Sequence, residues 1–218
     1  NGTLTPTAGT LASGGNLVLV STINGTARIA NGGCTTCSYI TGNVVVQRYV
    51  PETARRFRFM GSTVQSTTLA DWKNETYITG PGGAVNGFDP SGSNAPSVYW
   101  YNEALITGDL NIGWTSPANT SEVLTPGKGY RIFVRGDRSN SGRLNGTVTD
   151  QNEVTLNVVG VPNQGNITVP ISFTSSGTIA NDGWNLVSNP YASPYNWNAH
   201  YDDSSTHSKL EPFIMIYS

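Results

Sequence analysis

Charge is what this chain has least of. Of its 218 residues, 12 are Lys or Arg and 14 are Asp or Glu, which makes 12% charged residues and a formal net charge of −2. That is about half the charged share of an ordinary soluble chain. The basic residues are scattered, so no stripe exists to neutralise a row of phosphates, and nucleic acid is not expected as a partner. No apolar run is long enough for membrane insertion, and no polybasic segment marks a lipid surface. Histidine is reduced to His200 and His207. Helical periodicity is confined to one short stretch, residues 66–73. No Gly-x-Ser-x-Gly, His-Glu-x-x-His or phosphate-loop motif occurs. Gly127-Lys-Gly129 lacks both the spacing and the hydroxyl of a phosphate loop. Glu52, Glu75, Glu103, Glu122 and Glu153 stand alone, with no paired-carboxylate pattern of a glycoside hydrolase. A non-catalytic chain without a cofactor is the expectation.

What fills the sequence is glycine (25 residues), with threonine, serine and asparagine, and 10% aromatics. Such a neutral surface of hydroxyls and amides suits an extracellular β protein. The apolar runs are short and β-branched. Asn43–Val50, Arg55–Met60, Val98–Asn102, Gly129–Arg135, Asn152–Val159, Ile167–Phe173, Trp184–Ser188 and Phe213–Tyr217 read as strands, separated by Gly and Pro turns. Residues 1–30 add shorter ones, with Asn24-Gly25 as a hairpin signal. About ten strands and almost no helix predict an all-β fold, a β-sandwich or jelly-roll-like stack of antiparallel sheets.

One motif is written twice. Arg56-Phe-Arg-Phe-Met60 runs into Ser62 and then Trp72; Gly183-Trp-Asn-Leu-Val-Ser-Asn-Pro-Tyr191 runs into Trp197. Each is a short apolar strand, a small-residue turn and a tryptophan close behind. The first copy continues to Gly127–Val134; the second stops soon after Trp197. The repeat predicts a modular chain with an N-terminal β segment (1–40), a complete β unit (41–160) and the start of a second, truncated unit (161–218). Phe59, Trp72, Trp184 and Trp197 are the expected core of the repeat. The chain closes inside an apolar stretch, which raises the expectation of a processed piece of something larger. An unfinished second sheet would leave an open edge, for which the strands of residues 1–30 are a donor, so filaments formed by strand pairing between copies are a further expectation.

Several motifs carry chemistry in other settings. Cys34 and Cys37 sit in a Gly-rich loop. A local disulfide suits an oxidising compartment, free thiols are the alternative, and a zinc site lacks its other ligands. Six glycosylation-type sequons, at Asn1, Asn24, Asn74, Asn119, Asn145 and Asn166, are what a chain this rich in Asn, Ser and Thr makes by chance. Arg135-Gly136-Asp137 spells an integrin tripeptide but directly follows a strand, which predicts a turn with Gly136 at positive φ and Asp137 bonded to local amides. Asp89 in a Gly-Ser loop, and Asp202 with Asp203, are weak calcium candidates, each short of the six to eight oxygens calcium takes. Among the aromatics, Tyr99, Tyr101 and Trp114 are the candidates for stacking on a sugar ring.

Taken in order, Asn43-Val-Val-Val-Gln-Arg-Tyr-Val-Pro51, Arg55-Arg-Phe-Arg-Phe59, Tyr77-Ile-Thr-Gly80, Asn86-Gly-Phe-Asp89, Gly127-Lys-Gly-Tyr130, Phe133-Val-Arg-Gly-Asp-Arg138 and Gly183–Tyr191 form a series. It resembles modules of large secreted surface proteins of Bacteroidetes-type bacteria, many of them type IX secretion cargo. The resemblance implies export, a cell-surface location and a β-rich stalk or adhesin role, and it implies no catalytic residues. The expected function is a non-catalytic extracellular structural or adhesive module, partnered by copies of itself or neighbouring modules and by surface glycan. The alternative is a carbohydrate-binding module of a secreted enzyme.

Overall fold

Consecutive β-branched residues at Val44-Val-Val46 are stiff at χ1 and favour an extended backbone. In the computed structural model they open the longest strand, Val44–Val50. The structure describes residues 2–33, 38–105, 108–205, 207, 210–211 and 214–215. Val44–Val50 pairs antiparallel with Val154–Gly160, Val50 facing Val154 and Val44 facing Gly160. On its other side it pairs parallel with Leu17–Leu19. A second sheet of four strands runs in the order Arg56–Met60, Tyr130–Val134, Val98–Tyr101, Trp114–Thr115, all antiparallel. The fold is all-β, as the strand pattern predicts.

One hydrophobic cluster joins the two sheets. Val44, Val46, Val50, Val154, Leu156 and Val158 come from the first, and Val98, Tyr130, Ile132 and Val134 from the second. Between them sit Val64, Leu124, Ile78, Phe88 and the helical turn Leu69–Lys73. That turn starts where the Asp71 carboxylate accepts hydrogen bonds from the Thr68 amide and the Thr67 hydroxyl, each 2.7 Å long. Leu69 and Trp72, three residues apart, therefore share one face and point inward. The Trp72 indole is 1% exposed and meets the Tyr130 ring edge-on at 6.1 Å. Gly160 lets the chain pass close to residue 65: a Cβ there would lie 2.3 Å from the Gln65 carbonyl oxygen, where the Gln65 amide donates to Val161.

The structure differs from the expectations in four places. First, the long-range N-terminal pairings are parallel: besides Leu17–Leu19, Thr3–Leu4 lies along Arg28–Ile29 and Leu11–Ala12 along Ile40–Thr41, while Ser21–Thr22 and Gly25–Thr26 form the antiparallel hairpin that Asn24-Gly25 predicts. Residues 17–19, the expected donor to another chain, are thus paired within their own. Second, Ile167–Phe173 forms no strand. Pro170 interrupts it and has no amide to give a ladder, and side chains hold the segment instead: Asn185 exchanges hydrogen bonds with the Ser172 backbone. Third, the second copy of the motif builds no sheet of its own among the described residues. Its one bridge joins Val187 to Lys128, and the Gly129 amide donates to Leu186 and the Ser188 amide to Gly127. Residues 186–188 thus lie against the edge of the first unit. Fourth, of the expected core residues only Trp72 is in the core. Trp184 and Trp197 are half-buried, and Phe59 lies on the far face of its sheet. Cys34 and Cys37, and most of the strand expected over residues 213–217, lie outside the described residues; Ile214 and Met215 are in no strand.

Truncating Trp72 to alanine should cost about 3–5 kcal/mol, as deleting a buried indole does. Trp197→Ala, half-buried beside His200, should cost less than half as much. Urea unfolding followed by circular dichroism measures both, and equal losses would contradict the single core.

Candidate functional site

Alternation along a strand sends successive side chains to opposite faces. In Tyr130–Val134 it sends Tyr130, Ile132 and Val134 inward, all buried, and leaves Arg131 and Phe133 on the outer face. The register aligns the neighbours with them. Phe57 is opposite Phe133, and Phe59 and Tyr99 are opposite Arg131 on either side. Tyr101 is opposite Trp114 on the next pair of strands. Six aromatic rings and the Arg131 guanidinium therefore share the face of the four-stranded sheet that points away from the core, with Arg135 at its end.

The rings form a connected layer. Phe57 stands 5.3 Å from Phe133 and 6.1 Å from Tyr99 between centroids. Trp114 stands 5.1 Å from Tyr101 and 6.3 Å from Phe59. Arg131 lies at the centre, its guanidinium carbon 3.7 Å from the Trp114 ring centre, 4.6 Å from Tyr99 and 4.8 Å from Phe57. These are cation–π distances. Phe57 is 38% exposed and the other rings are half-buried. Among the described residues the Arg131 side chain has no salt bridge, and its Nε has no hydrogen-bond partner. Desolvation lowers its pKa, with the Tyr99 hydroxyl acting in the opposite sense.

Loops fix the two ends of the layer. At one end the Tyr101 hydroxyl donates to the Leu110 carbonyl at 3.0 Å. Gly113 closes on the same ring, where a Cβ would come within 2.6 Å of Cζ. Burial pushes the Tyr101 hydroxyl up, helped by the carboxylates of Glu103 and Asp109. Glu103 is itself buried and accepts from the Ser172 and Thr174 hydroxyls and the Thr174 amide. At the other end the Arg135 guanidinium lies 5.0 Å from the Phe133 ring centre and donates to the Tyr77 carbonyl and the Thr79 hydroxyl. It borders a polar cleft with Ser91, Ser93 and Asn145.

The expected ligand contacts Tyr99, Tyr101 and Trp114 thus come together on one face. Phe57, Arg131 and Phe133 belong there too and escaped the sequence reading, although two of the strands carry aromatics at alternate positions, Phe57 with Phe59 and Tyr99 with Tyr101. Phe59 belongs to this face and not to the core.

The remaining candidates serve the fold. Gly136 has φ of 94°, and Asp137 accepts from the Ser139 amide and hydroxyl and from Arg143, so Arg135-Gly136-Asp137 is the expected turn. Burial works against the Asp137 charge, but the hydrogen bonds from Ser139 outweigh it and hold the carboxyl below its usual range. Asp89 is 4% exposed and accepts from both terminal nitrogens of Arg138, at 2.8 and 2.9 Å, and from the Ile78 amide at 2.8 Å. Its oxygens are committed to those donors. Asp203 accepts from the Ser205 amide and hydroxyl. Among the described residues no three acidic, histidine or cysteine side chains gather in a way that could hold a metal ion, and no helix is long and apolar enough to cross a membrane.

The family described as Domain of unknown function (DUF8693) matches residues 38–218, so the chain belongs to that family. No curated protein and no solved structure matches it.

Arg138→Ala should destabilise the fold by about 3 kcal/mol, because it leaves a buried carboxylate without its main partner. Asp89→Asn with Arg138 intact should also destabilise it. Urea titration measures both, and a neutral result for Arg138→Ala would show that the Ile78 amide and Lys73 suffice to hold Asp89.

Proposed function

We propose that this chain is a non-catalytic adhesive module of a secreted bacterial surface protein, and that the outer face of its four-stranded sheet is the contact surface for glycan. The observation that carries the reading is the convergence of Tyr99, Tyr101 and Trp114 with Phe57 and Phe133 on a face turned away from the core. Aromatic rings present flat apolar area at little cost in side-chain entropy and pack well on sugar rings. A surface of neutral hydroxyls and amides, with 12% charged residues, suits an extracellular location. The series of motifs from Asn43 to Tyr191 supports a bacterial surface protein.

The same face serves the second reading, a carbohydrate-binding module attached to a secreted enzyme. The two differ in what neighbours the module, not in how it binds. Assembly through strand pairing between copies is a separate proposal. Its expected donor, residues 1–30, is already engaged, with Leu17–Leu19 paired to Val44–Val46. Filaments would have to form on another edge, such as Arg56–Met60.

Retention of the purified chain on a panel of insoluble and gel-immobilised polysaccharides tests the reading. At least one should bind it, and Trp114→Ala should weaken that binding roughly tenfold, the value of about one good aromatic contact. If no polysaccharide retains the chain, or if Trp114→Ala binds as the parent does, the outer face is not the contact surface.

A further inference from the structure

Arg131 sits where a binding face usually presents only rings. It is the middle residue of its row, with Phe59 on one side and Tyr99 on the other, and its guanidinium lies among Trp114, Tyr99 and Phe57. A guanidinium at a protein surface commonly pairs with a carboxylate, and its planar fork matches one with two parallel hydrogen bonds. Here the four ion pairs among the described residues are made by Lys73, Arg138 and Arg143. Arg131 takes part in none of them, and its Nε–H meets no acceptor. The other cation of the face, Arg135, is spent on the Tyr77 carbonyl and the Thr79 hydroxyl. The face thus holds one cation already partly desolvated by rings, rigidly placed and without an anion.

We infer that the contact surface recognises an acidic polysaccharide, with the Arg131 guanidinium taking a sugar carboxylate while Trp114, Tyr99 and Tyr101 pack on the rings beside it. This rests on the glycan reading of the same face and narrows it to uronic-acid chains. A single fork flanked by rings suits a polymer whose anions are spaced one per sugar. A nucleic acid also offers flat rings and anions, but its affinity comes from many phosphate contacts. This chain has a net charge of −2 and two cations on the face, one of them committed to the Tyr77 and Thr79 oxygens, so a polyphosphate gains little. Pre-stacking on aromatics also leaves the fork less to lose on binding, because its orientation is already set.

Affinity electrophoresis in gels containing polygalacturonate, alginate, dextran or xylan, with a fluorescent poly-dT oligonucleotide as a further probe, tests the inference. The acidic gels should retard the chain about tenfold more strongly than the neutral ones, and the difference should shrink as salt rises from about 0.05 to about 0.5 M, where charges are screened. Arg131→Gln should abolish the preference, a loss of about tenfold, while Arg131→Lys, which keeps the charge but not the fork, should retain part of it. Near-ultraviolet circular dichroism confirms that each variant keeps its fold; Arg28→Gln, which removes an exposed cation from the strand paired with Thr3–Leu4 and away from this face, is the control for the loss of one charge and should keep the preference. If neutral gels retard the chain as well as acidic ones, or if Arg131→Gln keeps the preference, the acidic assignment is wrong while the glycan reading stands. If no gel retards it, both fall. If poly-dT binds more tightly than polygalacturonate, the face is a nucleic-acid platform and the inference is overturned.

Discussion

The alternation of one strand organises this molecule. Tyr130, Ile132 and Val134 close the core from one side of the Tyr130–Val134 strand, and Arg131 and Phe133 open the outer face from the other. Because the strand is flanked on both sides, by Arg56–Met60 and Val98–Tyr101, its register sets theirs. A slip of one residue would send every side chain to the wrong face. The inward set is pinned by Trp72 against Tyr130 and by the valines of the opposite sheet. That burial fixes the outward set without any contact to it. The rings around Arg131 are therefore pre-arranged by the core and need no ligand to gather them.

Loops around the sheet are stitched by polar side chains more than by ladders. Asp89 and Arg138 tie the 76–89 region to the segment after the central strand. Glu103 ties the turn after Tyr101 to residues 172–174. Asn163 reaches the carbonyls of Ser62 and Pro190. With so little charge overall, each buried acid meets specific donors, which is the condition for burying it at modest cost. Most of the described arginines have no acid partner, since only Lys73, Arg138 and Arg143 make ion pairs; Arg131 differs in lying among three aromatic rings.

How much of this was legible in the sequence depends on the element. The Val44–Val50, Tyr130–Val134 and Val154–Gly160 strands announce themselves by β-branched alternation, and the helical turn at Leu69–Lys73 by its position and apolar spacing. Alternation says that a strand has two faces but not which one is inside. In Arg56–Met60 the hydrophobic rule places Phe57 and Phe59 inward, yet the register opposite Ile132 and Tyr130 turns Arg58 and Met60 that way. Arg58 is tolerated because the strand is an edge, where its guanidinium reaches the Thr53 hydroxyl. The parallel pairing of Leu17–Leu19 was not legible either, because strand partners far apart in sequence are set by packing and not by local pattern. The repeat was visible as letters, but a similar string at Gly183–Tyr191 met a different context. With Val187 bridged to Lys128 and no partner strand of its own among the described residues, the segment lines the existing unit. The sugar-facing candidates Tyr99, Tyr101 and Trp114 were legible as aromatics set apart from the repeated motif; Arg131 was not, since nothing in a sequence marks a cation as unpaired.

The central claim is that the outer face around Arg131 and Trp114 is where this protein meets its ligand. The most direct measurement is an NMR titration with oligogalacturonate, following the arginine Nε–Hε and tryptophan indole N–H signals. The account predicts that the Arg131 Nε–Hε and Trp114 indole signals shift together and saturably, while that of the buried Trp72 stays in place. Shifts centred on Trp184 and Trp197, with Arg131 and Trp114 unmoved, would contradict it.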